Sequence, residues 1–167
     1  MTPDDGNPRR LDLFVFTPDD SPPFEVWAPL EMQQRDAPES VGALVADDAD
    51  GFAPNLVAGH NRVAADMTLD ALATRLESDA AALPGAEVQP ARIVRGTAGL
   101  VHITSFTHAG LEGSGPLYQM TACLFAPSAG SNGDQQDLIF LTGTCTVDQM
   151  PTWDPAFVDA ATSVRFG

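Results

Sequence analysis

Three histidines, His60, His102 and His108, carry the most versatile chemistry in this chain, because imidazole binds metal ions and exchanges protons near neutral pH. His102 and His108 share one side of a predicted strand, but six residues of strand separate them by about 20 Å, too far to hold one ion. A metal- or ligand-binding cavity, or an enzyme site, therefore requires His60 to meet one of them and an aspartate from a neighbouring strand. The alternative is three unrelated polar or half-buried rings.

The acidic run DDAD at residues 47–50 is followed by Gly51 and invites comparison with a calcium-binding loop. Such a loop alternates acidic ligands and ends in a glutamate at its twelfth position. Here Ala46 stands at the first ligand position and Val57 at the twelfth. We therefore expect a solvated turn without a dedicated metal site, the alternative being weak and nonspecific binding of divalent ions.

Ser114 and Ser131 each lie beside glycines, as the nucleophile of a G-x-S-x-G elbow does. Glu112 and Ala129 occupy the first glycine position of that motif. The chain also contains no phosphate-binding loop, dinucleotide fingerprint, H-E-x-x-H or C-x-x-C motif. The sequence therefore predicts no catalytic residue and no cofactor, and it favours a protein that is not an enzyme.

The two cysteines, Cys123 and Cys145, lie in apolar strand segments without a neighbouring cation, which favours protonated, inert thiols. The last two long strands bury one face only if their apolar rows coincide, which pairs Leu124 with Leu141. The same register pairs Met120 with Cys145 and turns Cys123 to the opposite face. We expect two free, mostly buried thiols, as in a reducing compartment.

The composition describes one acidic domain. A chain of 167 residues with 44% hydrophobic residues predicts a flexible tail at residues 1–10 and a single domain at 11–167. The formal charge of −15 repels nucleic acid and anionic lipid surfaces. No apolar stretch approaches the roughly 20 residues that span a bilayer, and the N-terminus lacks a secretory signal and a lipobox cysteine. We expect a cytoplasmic protein without membrane insertion, or an exported one if a leader has been removed.

The first half of the chain reads as extended segments. Residues 11–16 and 24–29 flank the turn-forming stretch TPDDSPP and predict a hairpin, and residues 41–47 and 55–64 are extended as well. Pro54 lacks an N–H donor and suits the start of a strand, so we interpret GFAPNLVAGH as strand entry rather than as a reactive loop.

Two helices are predicted from apolar stripes and end signals. Thr68 suits the N-cap of the first helix, Pro84-Gly85 suits its end, and its stripe comprises Leu69, Leu72, Leu76, Ala80 and Leu83. The second helix follows from DPAFVDAATSVRF, with Asp154 as cap, Pro155 at the first helical position and a face formed by Phe157, Ala161 and Val164.

Between these helices the apolar period changes to two. Four extended segments, AEVQPARIVRG, LVHITSFTHAG, PLYQMTACLFA and DLIFLTGTCTV, predict a four-stranded antiparallel meander. The loop at residues 127–136 is small and polar, and we expect it to be the most mobile segment. The predicted fold class is α+β, in the order strands, helix, strands, helix.

Four residues are candidates for binding a partner. Trp27 and Trp153 each stand beside a proline at the edge of a regular element, where tryptophan either caps a core or anchors a partner. Phe52 and His60 come from the strand-entry segment. The expected partner is another protein or a second copy of the chain.

The chain resembles the LpqN/LpqT type of actinobacterial protein over roughly residues 11–166. The resemblance lies in the order of elements and in three short motifs: FAPNLV before the first helix, LTGT in the last strand and the terminal SVRF. The resemblance implies the Mog/PsbP/DcrB-like fold, a curved antiparallel sheet flanked by helices. It also implies a protein without a catalytic apparatus that works as a protein-binding accessory, an adaptor or a secretion-related chaperone. Typical members are exported lipoproteins, and this chain differs from them in lacking a signal and a lipobox.

Overall fold

The computed structural model describes residues 10–47, 51–127 and 133–167. This part of the chain forms an α+β fold of two helices and eleven strands. The strands are β1 (Leu11–Phe16), β2 (Phe24–Pro29), β3 (Met32–Arg35), β4 (Gly42–Ala46), β5 (Asn55–Ala64), β6 (Glu87–Val88), β7 (Arg92–Gly96), β8 (Gly99–His108), β9 (Leu117–Phe125), β10 (Gln135–Thr146) and β11 (Arg165–Phe166). The helices are α1 (Leu69–Ala81) and α2 (Met150–Thr162).

A curved antiparallel sheet forms the centre of the fold. Its eight strands run in the order β3-β4-β5-β10-β9-β8-β6, with β7 also paired to β8. Strands β7 to β10 form the predicted meander, and β5 extends it beyond β10. Helix α1 packs on one face of this sheet and α2 on the other, so each face has its own apolar cluster.

The predicted N-terminal hairpin forms, but it belongs to a second, smaller sheet. Strand β1 pairs with β2, and β2 pairs on its other side with β11. Phe16, Phe24 and Val26 turn from this small sheet into the core, where they join α2 and the large sheet. The sequence pattern wrongly places residues 165–166 at the end of the last helix. That helix ends earlier, at its C-cap Ser163, and the following residues pair with β2.

The apolar rows of β9 and β10 coincide, but their register differs from the predicted one by two residues. Leu124 lies opposite Ile139 instead of Leu141. Met120 correspondingly lies opposite Gly143, and Cys145 lies opposite another residue of β9. A shift of two keeps every side chain on its predicted face, so alternation alone does not distinguish the two registers.

Packing of α2 supplies a constraint that alternation lacks. A Cβ atom at Gly143 would lie 2.5 Å from the ring of Phe157 in α2, so that ring reaches the sheet only where β10 has no side chain. Helix α2 also contacts β9. The helix therefore ties both strands to one position beneath it.

Helix α1 begins where it was predicted to begin, but it ends at Ala81, before the predicted stop at Pro84-Gly85. Its N-cap is Thr68, whose hydroxyl accepts a hydrogen bond of 3.1 Å from the N–H of Ala71. Leu72 and Ala80 from the apolar stripe are buried, whereas Leu83, beyond the end of the helix, is exposed. Thr68 satisfies one of the unpaired N–H groups of the first turn and so defines where the helix begins.

Helix α2 begins five residues earlier than predicted, and Asp154 is not its cap. The N-cap is Gln149, and Pro155 lies inside the helix. The backbone N–H of Gln149 donates to the hydroxyl of Thr146, and its side-chain oxygen accepts from the N–H of Thr146, which closes the turn before the helix. Because the helix starts at Met150, its first turn includes Trp153, which is buried one turn before Phe157.

Three predictions concern segments outside the described residues. These are the N-terminal tail over residues 1–9, the acidic turn over residues 48–50, and residues 128–132 of the polar loop, which include Ser131. The strand-entry interpretation falls within the described ranges and is confirmed, because β5 begins at Asn55, directly after Pro54.

Candidate functional site

The small sheet leaves an apolar surface open to solvent. Side chains that alternate with the buried ones point away from the core, and we call their surface the outer face; it comprises Leu11, Leu13, Val15, Glu25, Trp27 and Arg165. Trp27 is 43% exposed and lies directly across from Leu13, which is 37% exposed. Of the nine exposed large apolar side chains among the described residues, four lie on this face. Contiguous apolar surface of this kind marks interaction sites more often than single exposed residues do.

Hydrogen bonds to α2 hold the strand that presents Trp27. The backbone N–H of Trp27 donates to the hydroxyl of Ser163 over 2.8 Å. The same hydroxyl donates to the carbonyl of Ala160 over 2.7 Å, inside the last turn of α2. The outer face therefore lies on a framework fixed to the core, which lowers the entropy that a partner must overcome on binding.

The free edge of β1 is partly occupied by the chain itself. The Asp12 carboxylate accepts a hydrogen bond of 2.8 Å from the N–H of Leu13, and the Gln34 side chain donates one of 3.0 Å to the carbonyl of Val15. A charged residue and a side-chain hydrogen bond at a sheet edge hinder the addition of a further strand. A partner is therefore expected on the face of this sheet rather than at its edge.

His60 has a carboxylate partner but no second histidine. Its Nε2 atom lies 2.8 Å from Oδ1 of Asp137, and the same oxygen lies 3.4 Å from Nε of Arg62. His60 lines a cleft of about 390 Å³ together with Asp19, Asp20, Glu39 and Ser40. This cleft is polar and open, and its wall includes the imidazole of His60.

The other histidines lie elsewhere. His102 is 3% exposed and lies opposite Cys123 on β9, and among the described residues its Nδ1 atom has no hydrogen-bond partner. His108 accepts a hydrogen bond from the N–H of Gly110. The convergence of two histidines that a shared site requires is thus not found. The described ranges also hold no group of three histidine, cysteine or acidic side chains able to bind a metal ion.

The remaining candidate partner residues occupy different surroundings. Trp153 is 9% exposed and packs against Phe157 with ring centroids 5.8 Å apart, so it contributes to the core. Phe52 is half-buried beside Leu111 in an open cleft of about 640 Å³, and its carbonyl accepts a hydrogen bond from the side chain of Gln149. Of the four candidates, Trp27 alone lies on the outer face.

A polar cluster beneath α2 was not visible in the sequence. The Tyr118 hydroxyl donates a hydrogen bond to Oδ1 of Asp154, and Nη2 of Arg92 lies 3.2 Å from the same oxygen. Burial, followed by the Asp154 carboxylate, raises the pKa of Tyr118 well above its usual value. These residues come from three separate elements, and Asp154 carries the local signature of a helix cap, so sequence alone offers no signal for the cluster.

The two thiols are free and buried, as predicted. Cys145 belongs to the main core, whereas Cys123 packs with Leu72 and Leu138 beneath α1, so the two point to opposite faces. Burial raises the pKa of each thiol from 9.0 to about 12, with the Asp154 charge as a smaller cause at Cys145. Neither thiol is suited to act as a nucleophile at neutral pH.

The leucines and valine of the outer face were not identified from the sequence. In LDLFVF both alternating sets contain apolar residues, so the pattern does not show which set faces the core. The sequence holds one weak signal of an exposed apolar face. A strand that is buried on one face has polar residues on the other, but LDLFVF has no polar residue after Asp12.

None of the helices in the described ranges is long and apolar enough to cross a membrane. No protein-family profile matches the chain, and no curated protein is significantly similar to it in sequence.

Solved structures nevertheless share its fold. LpqN of Mycobacterium tuberculosis, described as involved in cell envelope biogenesis, aligns with a TM-score of 0.71 and 13% identity over 93% of this chain and 91% of LpqN. The cyanobacterial PsbP of Synechocystis aligns with a TM-score of 0.60 and 16% identity over 97% of this chain and 96% of PsbP. PA94 of Pseudomonas aeruginosa, a protein of unknown function, aligns with a TM-score of 0.52 and 13% identity over 90% of this chain and 94% of PA94. The chain therefore has the curved-sheet α+β fold of LpqN and PsbP.

Proposed function

We propose that this chain is a non-enzymatic accessory or adaptor that binds a protein partner through its outer face. The observation that carries the proposal is the contiguous apolar surface around Trp27 and Leu13, held on a sheet that is hydrogen-bonded to α2. Aromatic residues in such surroundings are frequent hot spots of protein interfaces. The similarity in fold to LpqN, which is described as involved in cell envelope biogenesis, supports an accessory role.

The charge of the chain narrows the choice of partner. The chain has 23 acidic and 8 basic residues, and the resulting negative charge opposes binding to nucleic acid and to anionic lipid. Association with an apolar surface of another protein does not depend on a basic patch.

A cytoplasmic location is part of the proposal, supported by two unlinked thiols.

A second candidate function is the binding of a small polar ligand in the cleft beside His60. His60 lines the cleft, and its Nε2 atom is held by the carboxylate of Asp137. Its wall includes Glu39, which has a φ of 58°, a left-handed conformation that costs energy for a non-glycine residue and is frequent at functional sites. A panel of metabolites that raises the melting temperature of the wild type, but not of His60→Ala, would support this function.

Site-specific photo-crosslinking in the native host tests the first proposal. A photoreactive amino acid in place of Leu13 samples the outer face, and the same amino acid in place of the exposed Asp79 on α1 is the control. We expect a defined protein adduct from position 13 and none from position 79. Equal yields at both positions, or no adduct at position 13, would contradict the proposal.

A further inference from the structure

We infer that the partner of the outer face is a second copy of this chain, packed face to face about a two-fold axis. This inference rests on the proposed function, since it names the occupant of the same surface. A two-fold contact brings the same patch of both copies together, so the patch must be complementary to itself. The outer face meets this condition in two ways, because its apolar side chains can pack against the same residues of a second copy and its two charges are of opposite sign.

The hydrogen bonds at the edge of β1 decide the mode of contact. Two copies of an edge strand often associate by extending one sheet into the other. Here Asp12 and Gln34 already bond backbone groups of Leu13 and Val15 on that edge. Contact through the side chains of the face avoids the loss of these two bonds, and it places Trp27 and Leu13 of one copy against those of the other.

Charge explains why this surface suits a second copy. The formal charge of −15 makes two copies repel each other over most approaches. The outer face carries one acid and one base, Glu25 and Arg165, which are direct neighbours across β2 and β11. The three ion pairs among the described residues lie elsewhere, so neither of these charges is paired within 4.0 Å with another residue of the described ranges. A two-fold axis can place Arg165 of each copy near Glu25 of the other.

The size of the face sets the strength of the association. Its four exposed apolar side chains, each between 37% and 47% exposed, leave roughly 300–400 Å² of apolar surface in water. This apolar surface is at most about half of the roughly 800 Å² per partner that a standard interface buries. We therefore expect a reversible dimer whose population depends on concentration.

Sedimentation velocity over a concentration series tests the inference on the full chain. We expect the wild type to shift from 17.6 kDa toward about twice that mass as concentration rises. Glu25→Arg and Arg165→Glu each place like charges opposite each other across the axis, and each should weaken association at least tenfold. Arg95→Glu changes the charge by the same amount on an exposed residue of β7 and should leave association unchanged.

Mixing the two charge variants gives the decisive result. Glu25→Arg presents only positive charge on the outer face and Arg165→Glu only negative charge, so an equimolar mixture should form a heterodimer although each variant alone is monomeric. Thermal unfolding of each variant shows that it is folded. A mixture that stays monomeric, or a wild type that stays monomeric up to the highest concentration, would overturn the inference.

The crosslinking experiment separates failure of this inference from failure of the proposed function. An adduct at position 13 with twice the mass of the chain supports the second copy. An adduct with a different protein, together with a monomeric wild type, overturns the second copy and leaves a protein-binding function in place. Absence of any adduct would contradict both the second copy as partner and the protein-binding function of the outer face.

Discussion

The N–H of Trp27 donates a hydrogen bond of 2.8 Å to the Ser163 hydroxyl, and so links the exposed apolar surface to the end of α2. Ser163 is also the C-cap residue of that helix. One side chain therefore serves both the helix end and the strand that carries the outer face. This link makes the stability of α2 and the presentation of Trp27 interdependent.

Removing this link should lower stability. In Ser163→Ala the N–H of Trp27 loses its acceptor, and we expect the free energy of unfolding to fall by about 1–2 kcal/mol. Urea denaturation followed by circular dichroism measures the change. Ser78→Ala, on the exposed side of α1, is the matched control and should change stability by less than about 0.5 kcal/mol. Equal losses in the two variants would argue against a role for the Ser163 bond.

The two tryptophans should respond oppositely to truncation. Trp153 is buried against Phe157, so Trp153→Ala should cost about 3–5 kcal/mol of stability. Trp27 is 43% exposed, so Trp27→Ala should cost only about 1 kcal/mol while it abolishes the adduct at position 13. Chemical denaturation and crosslinking on the same preparations measure both effects. A Trp27 variant that retains the adduct would show that this residue is not part of the interface.

The cluster beneath α2 should stabilise the packing of that helix. Tyr118→Phe removes the hydroxyl that donates to Asp154 and leaves Arg92 as the partner of that carboxylate among the described residues, so we expect a loss of about 1–3 kcal/mol. The melting temperature and the free energy of unfolding report the loss. The control is Phe166→Tyr, which adds one hydroxyl group to a half-buried ring outside this cluster. An unchanged melting temperature in Tyr118→Phe would mean that the hydrogen bond contributes nothing net.

Stability should fall in alkaline solution because of the buried thiols. The pKa of Cys123 and Cys145 rises from 9.0 to about 12 on folding, so the folded state holds protons that the unfolded state releases between those values. The contribution is fully present below pH 9 and is lost as pH rises toward 12, by up to about 1.4 kcal/mol per pH unit for each thiol.

Urea denaturation at several alkaline pH values tests this dependence. The buried Tyr118 hydroxyl, whose pKa is raised in the same direction, adds to the slope above pH 10. Between pH 9 and 10 the slope should therefore report mainly the thiols, and Cys123→Ala should reduce it by about half. A slope unaffected by this substitution would show that the thiol does not titrate differently in the two states.

Local sequence signals determined most of the elements of this fold. Thr68 caps a helix whose stripe buries Leu72, and Pro54 stands directly before β5, because caps, stripes and a missing N–H act over a few neighbouring residues. Alternation also placed Cys123 and Cys145 on opposite faces, since the side-chain period of a strand is two.

Tertiary packing decided what such signals leave open. Alternation does not distinguish registers that differ by two, so the pairing of Leu124 with Ile139 depends on how α2 seats over Gly143. Asp154 has the local sequence of a cap but meets Tyr118 and Arg92 from distant strands. The outer face arises in the same way: LDLFVF is apolar on both sides, and only the docking of β2 and α2 determines which side is buried and which side, with Trp27, is left for a partner.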